Sequence, residues 1–368
     1  MTARTALYVT IALILLSPAA YFGSGVGQRA HTLSAEPVTL AGGSLESSPK
    51  AEARHSLSLP IRVEQLLLYP ALMLLLHYSG AAAALRRRLA ARWVPPLQNV
   101  SGVGPANRLL GRLSRNRLSL PEVWLIVLYL TLVSAGVTLL YFPFSVYTGF
   151  VLRHQFDLST QTLEGWLRDF WLGWGVSLLT TLLLYGGFYI LLRLAPRRWP
   201  VWAGAGFTLF TFGYILLEPV AVTPLFYTVT PVTDAGLRQR INVMADRAGV
   251  AIDDISIIDA SSKTTAINAY FTGFGGASKI VLWDTLLQKH PPGEVDVVIA
   301  HEMGHWVYRH TLIYALGGSA GVWLGLFALR WWLNRVWRGL GWNGPGDVAG
   351  YPYLLGVMAL LAALSLPL

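Results

Sequence analysis

The stretch that decides the fold reads His301-Glu302-Met303-Gly304-His305, and it follows the helix-breaking run Pro291-Pro292-Gly293. Residues four positions apart lie on the same side of an α-helix, so a helix that begins at the prolines points both histidines the same way. Two imidazoles at this spacing predict half of a tetrahedral zinc site, with His301 and His305 as metal ligands. Glu302 lies beside the metal position and is predicted to be the general base of a zinc peptidase.

The apolar residues that precede this motif support the prediction of a metal site. Val295, Val297, Val298, Ile299 and Ala300 precede His301 and are typical of a helix in a dry, water-restricted site. The alternative is a helix whose histidines only make local hydrogen bonds. The full five-residue pattern and its helical context favour the zinc site.

The overall composition indicates a membrane protein. Hydrophobic residues make up 54% of the 368 residues and charged residues only 13%, about half the fraction usual in soluble domains. The net charge of +9 could suggest nucleic acid binding, but the arginines cluster at the ends of apolar runs, where membrane topology places them. We therefore predict a lipid bilayer and no nucleic acid as partner. The absence of cysteine excludes disulfides, thiolate metal ligands and a cysteine nucleophile.

Seven apolar runs are long enough to predict membrane spans. They are residues 5–22, 65–85, 123–152, 170–192, 199–217, 311–329 and 348–368. The first run could instead be a signal peptide, although its exit is a weak cleavage site. The predicted fold is a mainly α membrane protein of about seven transmembrane helices, with a small α/β zincin-like catalytic segment between the fifth and sixth spans.

This pattern predicts three regions along the chain. Residues 1–222 form a membrane region with five spans and an arginine-rich loop, residues 223–310 the peptidase segment, and residues 311–368 a membrane region with two spans. Within the peptidase segment, Asp234 offers a helix N-cap and Gly249 a helix end. Short strands are predicted at residues 255–259, 267–272 and 279–283.

The distribution of arginines predicts how the chain lies in the membrane. Residues 83–121 hold eight arginines and no acidic residue, which is typical of a cytoplasmic loop lying on anionic headgroups. Alternation of the spans then puts the peptidase segment on the extracytoplasmic side. The bias towards Ala, Leu, Gly, Arg and Trp suggests a GC-rich bacterial genome, so we predict a multi-pass protein of a bacterial plasma membrane.

Several blocks of residues resemble a known family, the type I CAAX prenyl proteases, which are integral-membrane zinc metallopeptidases. The blocks run from His154-Gln-Phe-Asp-Leu-Ser-Thr-Gln-Thr162, with Trp166 and Asp169, to the zinc motif and His310. The most specific block is Asn268-Ala-Tyr-Phe-Thr-Gly-Phe-Gly275, followed by Lys279-Ile-Val-Leu-Trp-Asp-Thr-Leu-Leu287. The resemblance covers roughly residues 122–310.

The resemblance implies a helical barrel around an intramembrane chamber that the zinc site faces. By motif matching it implies His301 and His305 as ligands of Zn, Glu302 as the catalytic base, and Asn268, Ala269 and Tyr270 on a substrate-binding edge strand. Members of the family cleave prenylated C-terminal CAAX peptides, and some act on other membrane-associated proteins. The expected substrate is therefore a membrane-associated or CAAX-type peptide, and nothing in this sequence selects between them.

One part of the family pattern is missing. The resemblance implies a third zinc ligand from an Asn-x-x-x-Glu-x-x-Ala-Asp-type block after the seventh span, yet no glutamate lies between Trp306 and Leu368. If the helix continues, His310 lies nine positions after His301 and about 180° around it, so it is predicted to face away. We therefore expect the chain to be truncated and inactive as given. The rival interpretation is a non-catalytic scaffold or transporter with an incomplete peptidase site.

Overall fold

A computed structural model describes residues 38–39, 45–46, 52, 54, 67–93, 118–274 and 277–365. Ten helices lie in these ranges: α1 Leu67–Tyr78, α2 Ala81–Trp93, α3 Leu120–Gln155, α4 Leu163–Leu194, α5 Trp199–Phe226, α6 Ala235–Ala248, α7 Asp284–Lys289, α8 Pro292–Val307, α9 His310–Val336 and α10 Tyr351–Ser365. The six strands described are β1 Val38–Thr39, β2 Leu45–Glu46, β3 Val229–Pro231, β4 Asp254–Ile258, β5 Ala269–Phe274 and β6 Ala277–Trp283. The chain is thus mainly helical with a small sheet, as predicted.

Four of the described helices, α3, α4, α5 and α9, are long and apolar enough to cross a membrane. The pair α1–α2, which is bent by 57°, would make a fifth if it counts as one span. The first predicted span, residues 5–22, lies outside the described residues. The seventh corresponds to a shorter apolar helix, Val348–Ala359, so the predicted number of seven stays unconfirmed.

The chain divides into two compact units, of which one comprises Met1–Phe156, Trp174–Trp199 and Leu329–Leu368. Its largest fully buried side chains include Tyr129, Phe144 and Tyr189. At the start of α3, the Glu122 carboxylate accepts hydrogen bonds of 2.9 Å from the backbone N–H and hydroxyl of Ser119, which caps the helix where it begins.

The other unit comprises Asp157–Gly173 and Pro200–Ala328, and it contains a four-stranded sheet in the order β3-β4-β6-β5. β4 and β6 are parallel, and the two outer strands are antiparallel to their neighbours. Helices α6 and α8 share one hydrophobic core with the sheet. Its fully buried members include Ile241 of α6, Ile255 of β4, Leu282 of β6 and Ile299 of α8.

The local predictions for the region between β3 and β4 are confirmed. Asp234 caps α6 by accepting hydrogen bonds from the backbone N–H groups of Gly236 and Leu237, at 2.8 and 3.1 Å. Gly249 ends the helix with φ +67°, a left-handed conformation that glycine adopts without strain. The predicted strands are all present within two residues of their expected ends. Residues 275 and 276, between β5 and β6, lie outside the described residues. The predicted region boundaries at residues 222 and 310 stay a prediction.

Candidate metallopeptidase site

Helix α8 carries the zinc motif, and its sequence explains why it folds where it does. Pro292 occupies the first helical position, where its missing N–H costs nothing. Val295, Ile299 and Met303 recur every four residues and are at most 2% exposed, because they face the core shared with the sheet. A helix anchored on this face must present His301 and His305, which lie on average about 140° around it, to the outside of the core.

The two motif histidines are exposed and adjacent. Their Nε2 atoms are 3.2 Å apart, and the ring centroids are separated by 4.9 Å. Two nitrogens that ligate one tetrahedral zinc at about 2.0–2.1 Å must be roughly 3.3–3.4 Å apart. The pair therefore fits a zinc ion held between the two Nε2 atoms. Glu302 follows on the same turn and is partly exposed.

The prediction that His310 faces away from the motif is wrong, because the helix does not continue to it. Helix α8 ends at Val307, and Arg309 takes a left-handed conformation with φ +53° before α9 begins at His310. This break turns the chain so that the Nδ1 atoms of His305 and His310 lie 2.7 Å apart. At that separation one Nδ1 donates a hydrogen bond and the other accepts it.

The contact between His305 and His310 bears on metal binding. If His305 Nδ1 carries the proton, its Nε2 is left with the lone pair that a metal ligand needs. His310 Nδ1 is then the acceptor, so it would hold His305 in the ligand tautomer. Within the residues that the structure describes, no third His, Cys, Asp or Glu forms a metal-binding group with this pair.

The strand expected to bind substrate, β5, lies at an edge of the sheet and packs on the motif helix. Among the strands that the structure describes, β5 pairs with β6 alone. The Ala269 side chain is 2% exposed and belongs to the core cluster that includes Ile299 and Met303. The Phe271 ring lies 5.9 Å from the ring of Trp306, one residue beyond the motif. The edge strand and the histidine helix thus form one rigid module.

The backbone register shows which groups of β5 face its free edge. The Trp283 N–H donates to the Asn268 carbonyl at 3.1 Å, so Asn268 faces β6. Because bonding alternates along an antiparallel strand, Ala269, Phe271 and Gly273 point their N–H and C=O groups outward. The Asn268 Oδ1 atom accepts a hydrogen bond of 2.9 Å from the Ala269 N–H, which covers the first of these donors.

The side chain of Tyr270 lies on the other face of β5. It packs against the small cluster formed by Ile258, Ala260 and Val281, and its hydroxyl is hydrogen-bonded to Thr223. The Thr223 hydroxyl also donates to the Glu218 carboxylate at 2.7 Å. Burial raises the pKa of Tyr270 above its usual value, although the bond with Thr223 opposes this, so the phenol keeps its proton at neutral pH.

A polar clasp that the sequence did not indicate holds the loop leading into β5. The clasp joins two loops, residues 157–162 and 261–265. The Ser159 hydroxyl donates to the Lys263 carbonyl at 3.0 Å, and Thr265 donates to the Asp157 carbonyl at 2.8 Å. The Lys263 ammonium forms an ion pair with Asp169 and lies 4.7 Å from the ring centre of Tyr227. The family pattern includes Asp157, Ser159 and Asp169 but neither Lys263 nor Thr265, because a contact between distant residues has no local signature.

A cavity of about 580 Å³ lies beside the motif, where α8 ends. It is lined by His305, Trp306 and Arg309, by Gly273 of the edge strand and by Gly249 at the end of α6. The cavity therefore borders His305, one of the two predicted ligands, and Gly273, the last outward-facing residue of β5.

Comparison with known proteins shows which protein families this chain resembles. The CAAX prenyl protease N-terminal model, described as five membrane helices, matches residues 91–228, and the peptidase family M48 model matches residues 231–367. The uncharacterised metalloprotease YhfN of Bacillus subtilis is 31% identical over 246 residues, 64% of this chain and 55% of YhfN. CAAX prenyl protease 1 of Saccharomyces cerevisiae is 35% identical over 191 residues, 50% of this chain and 41% of that protein. The chain spans about half the length of these curated relatives.

The solved structures agree on the fold. The crystal structure of S. mikatae Ste24p matches 96% of this chain and 81% of its own chain with a TM-score of 0.61, at 21% sequence identity. The fold and the matched family models together define a multi-pass integral membrane protein of the metallopeptidase class. More specifically, the chain belongs to the CAAX prenyl protease family, since the two family models together match residues 91–228 and 231–367.

Proposed function

We propose that this protein is a membrane-embedded zinc metalloendopeptidase that hydrolyses peptide bonds in membrane-associated or CAAX-type C-terminal substrates. The observation that carries the proposal is the 3.2 Å separation of the His301 and His305 Nε2 atoms on a helix packed against an edge strand. The same separation also suits an N–H···N hydrogen bond between the rings; the His-Glu-Met-Gly-His pattern on one helix and the adjoining edge strand favour the metal site.

Each residue has a distinct role in this proposal. His301 and His305 would hold the metal, which when bound supplies Lewis acidity that polarises a carbonyl and lowers the pKa of water towards ~7. The Glu302 carboxylate removes a proton from the attacking water and then delivers it to the nitrogen of the departing amine. His310 keeps His305 in the tautomer that leaves Nε2 free.

The substrate would be held through its backbone. An extended peptide can add to the free edge of β5 by pairing with the outward N–H and C=O groups of Phe271 and Gly273. The Ala269 side chain is sealed in the core and the Tyr270 side chain faces the sheet's other side. Tyr270 directs its main-chain groups to β6 and would support the strand, whereas Ala269 would offer its carbonyl at the free edge, since Asn268 covers its N–H. The cavity beside His305 would receive a substrate side chain.

A panel of peptides tests the activity and the substrate class together. We expect the full-length protein, reconstituted with zinc, to cleave a farnesylated C-terminal peptide or an unprenylated membrane-anchored peptide. Cleavage is detected by mass spectrometry, and a chelator-treated sample is the control. Cleavage of the farnesylated peptide alone identifies a CAAX protease, and cleavage of both identifies a broader membrane peptidase. Zinc binding without cleavage of either peptide would instead support the scaffold interpretation.

His310 offers a test of the metal site that does not depend on turnover. Because His310 accepts from His305 Nδ1 in this proposal, we expect His310→Leu to weaken zinc binding by about 10–100-fold, the range for loss of a metal ligand's hydrogen-bond partner. The measurement is zinc affinity by competition with a fluorescent chelator. His310→Gln retains an acceptor and should recover most of the affinity.

The matched control for this test is His290→Leu, since His290 lies near the start of the same helix and bonds Glu294 at 2.7 Å, away from the motif. Equal zinc affinity in His310→Leu and in the unmodified protein would refute the role of His310. Equal weakening in His290→Leu would show that the loss comes from the fold of α8.

A further inference from the structure

Outside the peptidase site, the structure contains a second cavity of about 450 Å³, entirely within the unit that holds α1–α3 and α10. It lies at the bend between α1 and α2, where Gly80 has φ +76°, and it is closed by the turn that follows α9. Arg86 and Arg87 of α2 line it, together with His77, Trp342, Asn343 and Asp347. Neither the peptidase mechanism nor the edge strand uses this cavity.

The charges around the cavity favour an anion. Asp347 is the one acidic side chain among the cavity-lining residues, and its side chain is only 4% exposed. Its oxygens already accept hydrogen bonds from the backbone N–H and side-chain amide of Asn343, both at 2.9 Å, and from the Ala349 N–H at 3.0 Å. The Arg86 Nε atom is 3.5 Å from Asp347, too far for a strong hydrogen bond. One carboxylate, satisfied by its own turn, thus faces two guanidinium groups.

Buried polar atoms without a hydrogen-bond partner also favour an anion at this cavity. Among the described residues, Arg86 Nε and Trp342 Nε1 are buried without a hydrogen-bond partner. Both are N–H donors on residues that line the cavity, so hydrogen-bond donors are in excess of acceptors around it. Two other arginines of this unit have aromatic partners: Arg335 lies 4.1 Å from the ring centre of Trp331, and Arg338 lies 4.9 Å from that of Trp337.

The position of the cavity decides which anion is expected. Helix α1 is apolar, whereas α2 carries Arg86, Arg87, Arg88 and Arg92, so the bend between them marks a change from hydrocarbon to headgroup surroundings. Aromatic rings surround the bend: the ring of Tyr353 lies 5.0 Å from that of His77 and stacks on Trp332 at 5.8 Å. Arginines within an aromatic belt are the groups that bind phosphate oxygens at a membrane surface.

We propose that this cavity is a binding site for a phosphate anion, supplied by the headgroup of an anionic phospholipid, with Arg86 and Arg87 as its ligands. Arginine suits this ligand because its planar fork can donate two parallel hydrogen bonds to phosphate. The site would anchor the bend of α1–α2 to one leaflet. The proposal is independent of the peptidase function, because no residue of the cavity belongs to the metal site.

The chain supplies a matched pair of variants for the test. Arg87 and Arg88 are consecutive, exposed and on the same helix, but only Arg87 lines the cavity. Thermal unfolding is followed in an uncharged detergent with added dioctanoyl phosphatidylglycerol, dioctanoyl phosphatidylcholine or sodium phosphate. We expect phosphatidylglycerol to raise Tm by at least about 3 °C in the unmodified protein and in Arg88→Gln, and by less than half of that in Arg87→Gln.

Comparing the additives and the variants identifies the source of the anion and tests whether the site exists. A rise with sodium phosphate that Arg87→Gln also removes supports the anion site but assigns it to free phosphate. No rise with either anion, or an equal rise in Arg87→Gln and Arg88→Gln, overturns the proposal. Arg86→Gln should lower the Tm measured without lipid, since Arg86 lies beside buried Asp347. For this variant only the rise in Tm on adding lipid is informative. A rise as large as that of the unmodified protein would show that Arg86 is not a ligand of the phosphate.

Discussion

We expect Glu302→Gln to lower kcat for peptide hydrolysis by about 10²–10⁴-fold, the range over which a positioned general base contributes to an enzyme. Glutamine has the shape of glutamate but cannot take a proton from water, so the substitution removes the proposed proton transfer and little else. Glu302 is partly exposed and lies outside the buried stripe of α8, so the helix should fold normally. The assay measures hydrolysis by the full-length protein of whichever peptide, farnesylated or unprenylated, the unmodified protein cleaves.

Zinc content separates loss of chemistry from loss of the site. We expect the Glu302→Gln protein to bind zinc as the unmodified protein does, because its two histidines are unchanged. Glu294→Gln is the control, since Glu294 is on the same helix, in its first turn, and pairs with His290. An active Glu302→Gln protein, or equal loss of activity in Glu294→Gln, would remove Glu302 from the mechanism.

The second large effect concerns the metal itself. We expect His301→Ala and His305→Ala each to weaken zinc binding by more than the roughly 100-fold that loss of a ligand's outer partner can cause. A single imidazole cannot hold zinc in the geometry that the 3.2 Å pair provides. Stoichiometry by elemental analysis after dialysis, together with chelator competition, measures the loss.

The two histidine variants should not unfold the protein, because both side chains are exposed and the core contacts of α8 come from Val295, Ile299 and Met303. His290→Ala removes an imidazole from the same segment and should keep its zinc. Unchanged zinc stoichiometry in both His301→Ala and His305→Ala would place the metal elsewhere. Loss of zinc with an unchanged thermal transition supports the assigned ligands.

Much of the peptidase segment could be predicted because its signals are local. Asp234 and Gly249 bound α6, since a carboxylate satisfies free N–H groups at a helix start and glycine adopts the left-handed conformation at its end. The expected apolar approach to the motif is confirmed as buried at Val295 and Ile299 but not at Val297, which is 69% exposed, because only every fourth residue of α8 faces the core. A short stretch of sequence is therefore enough to predict whether it forms a helix or a strand, and to predict that His301 and His305 share one face of α8.

The error about His310 shows where local reasoning stops. The residues from Val307 to Arg309 carry no glycine or proline, so the sequence predicts a continuous helix and a histidine on the wrong side. Instead the helix ends at Val307, and Arg309 takes an unusual φ of +53° before the next helix begins. Such a conformation costs energy locally and persists only when surrounding contacts compensate, and no such compensation can be seen in a five-residue window.

The sequence by itself determined the class of this protein: its apolar runs require lipid, and its His-Glu-Met-Gly-His stretch requires a shared helix face. Tertiary structure alone decided the partnerships between distant residues. It set His310 against His305 Nδ1, clasped Lys263 to Asp169, and put Arg86 and Arg87 around a cavity with Trp342. The physical reason is that periodicity is encoded along the chain, whereas the meeting of two side chains depends on packing that residues between them help to determine.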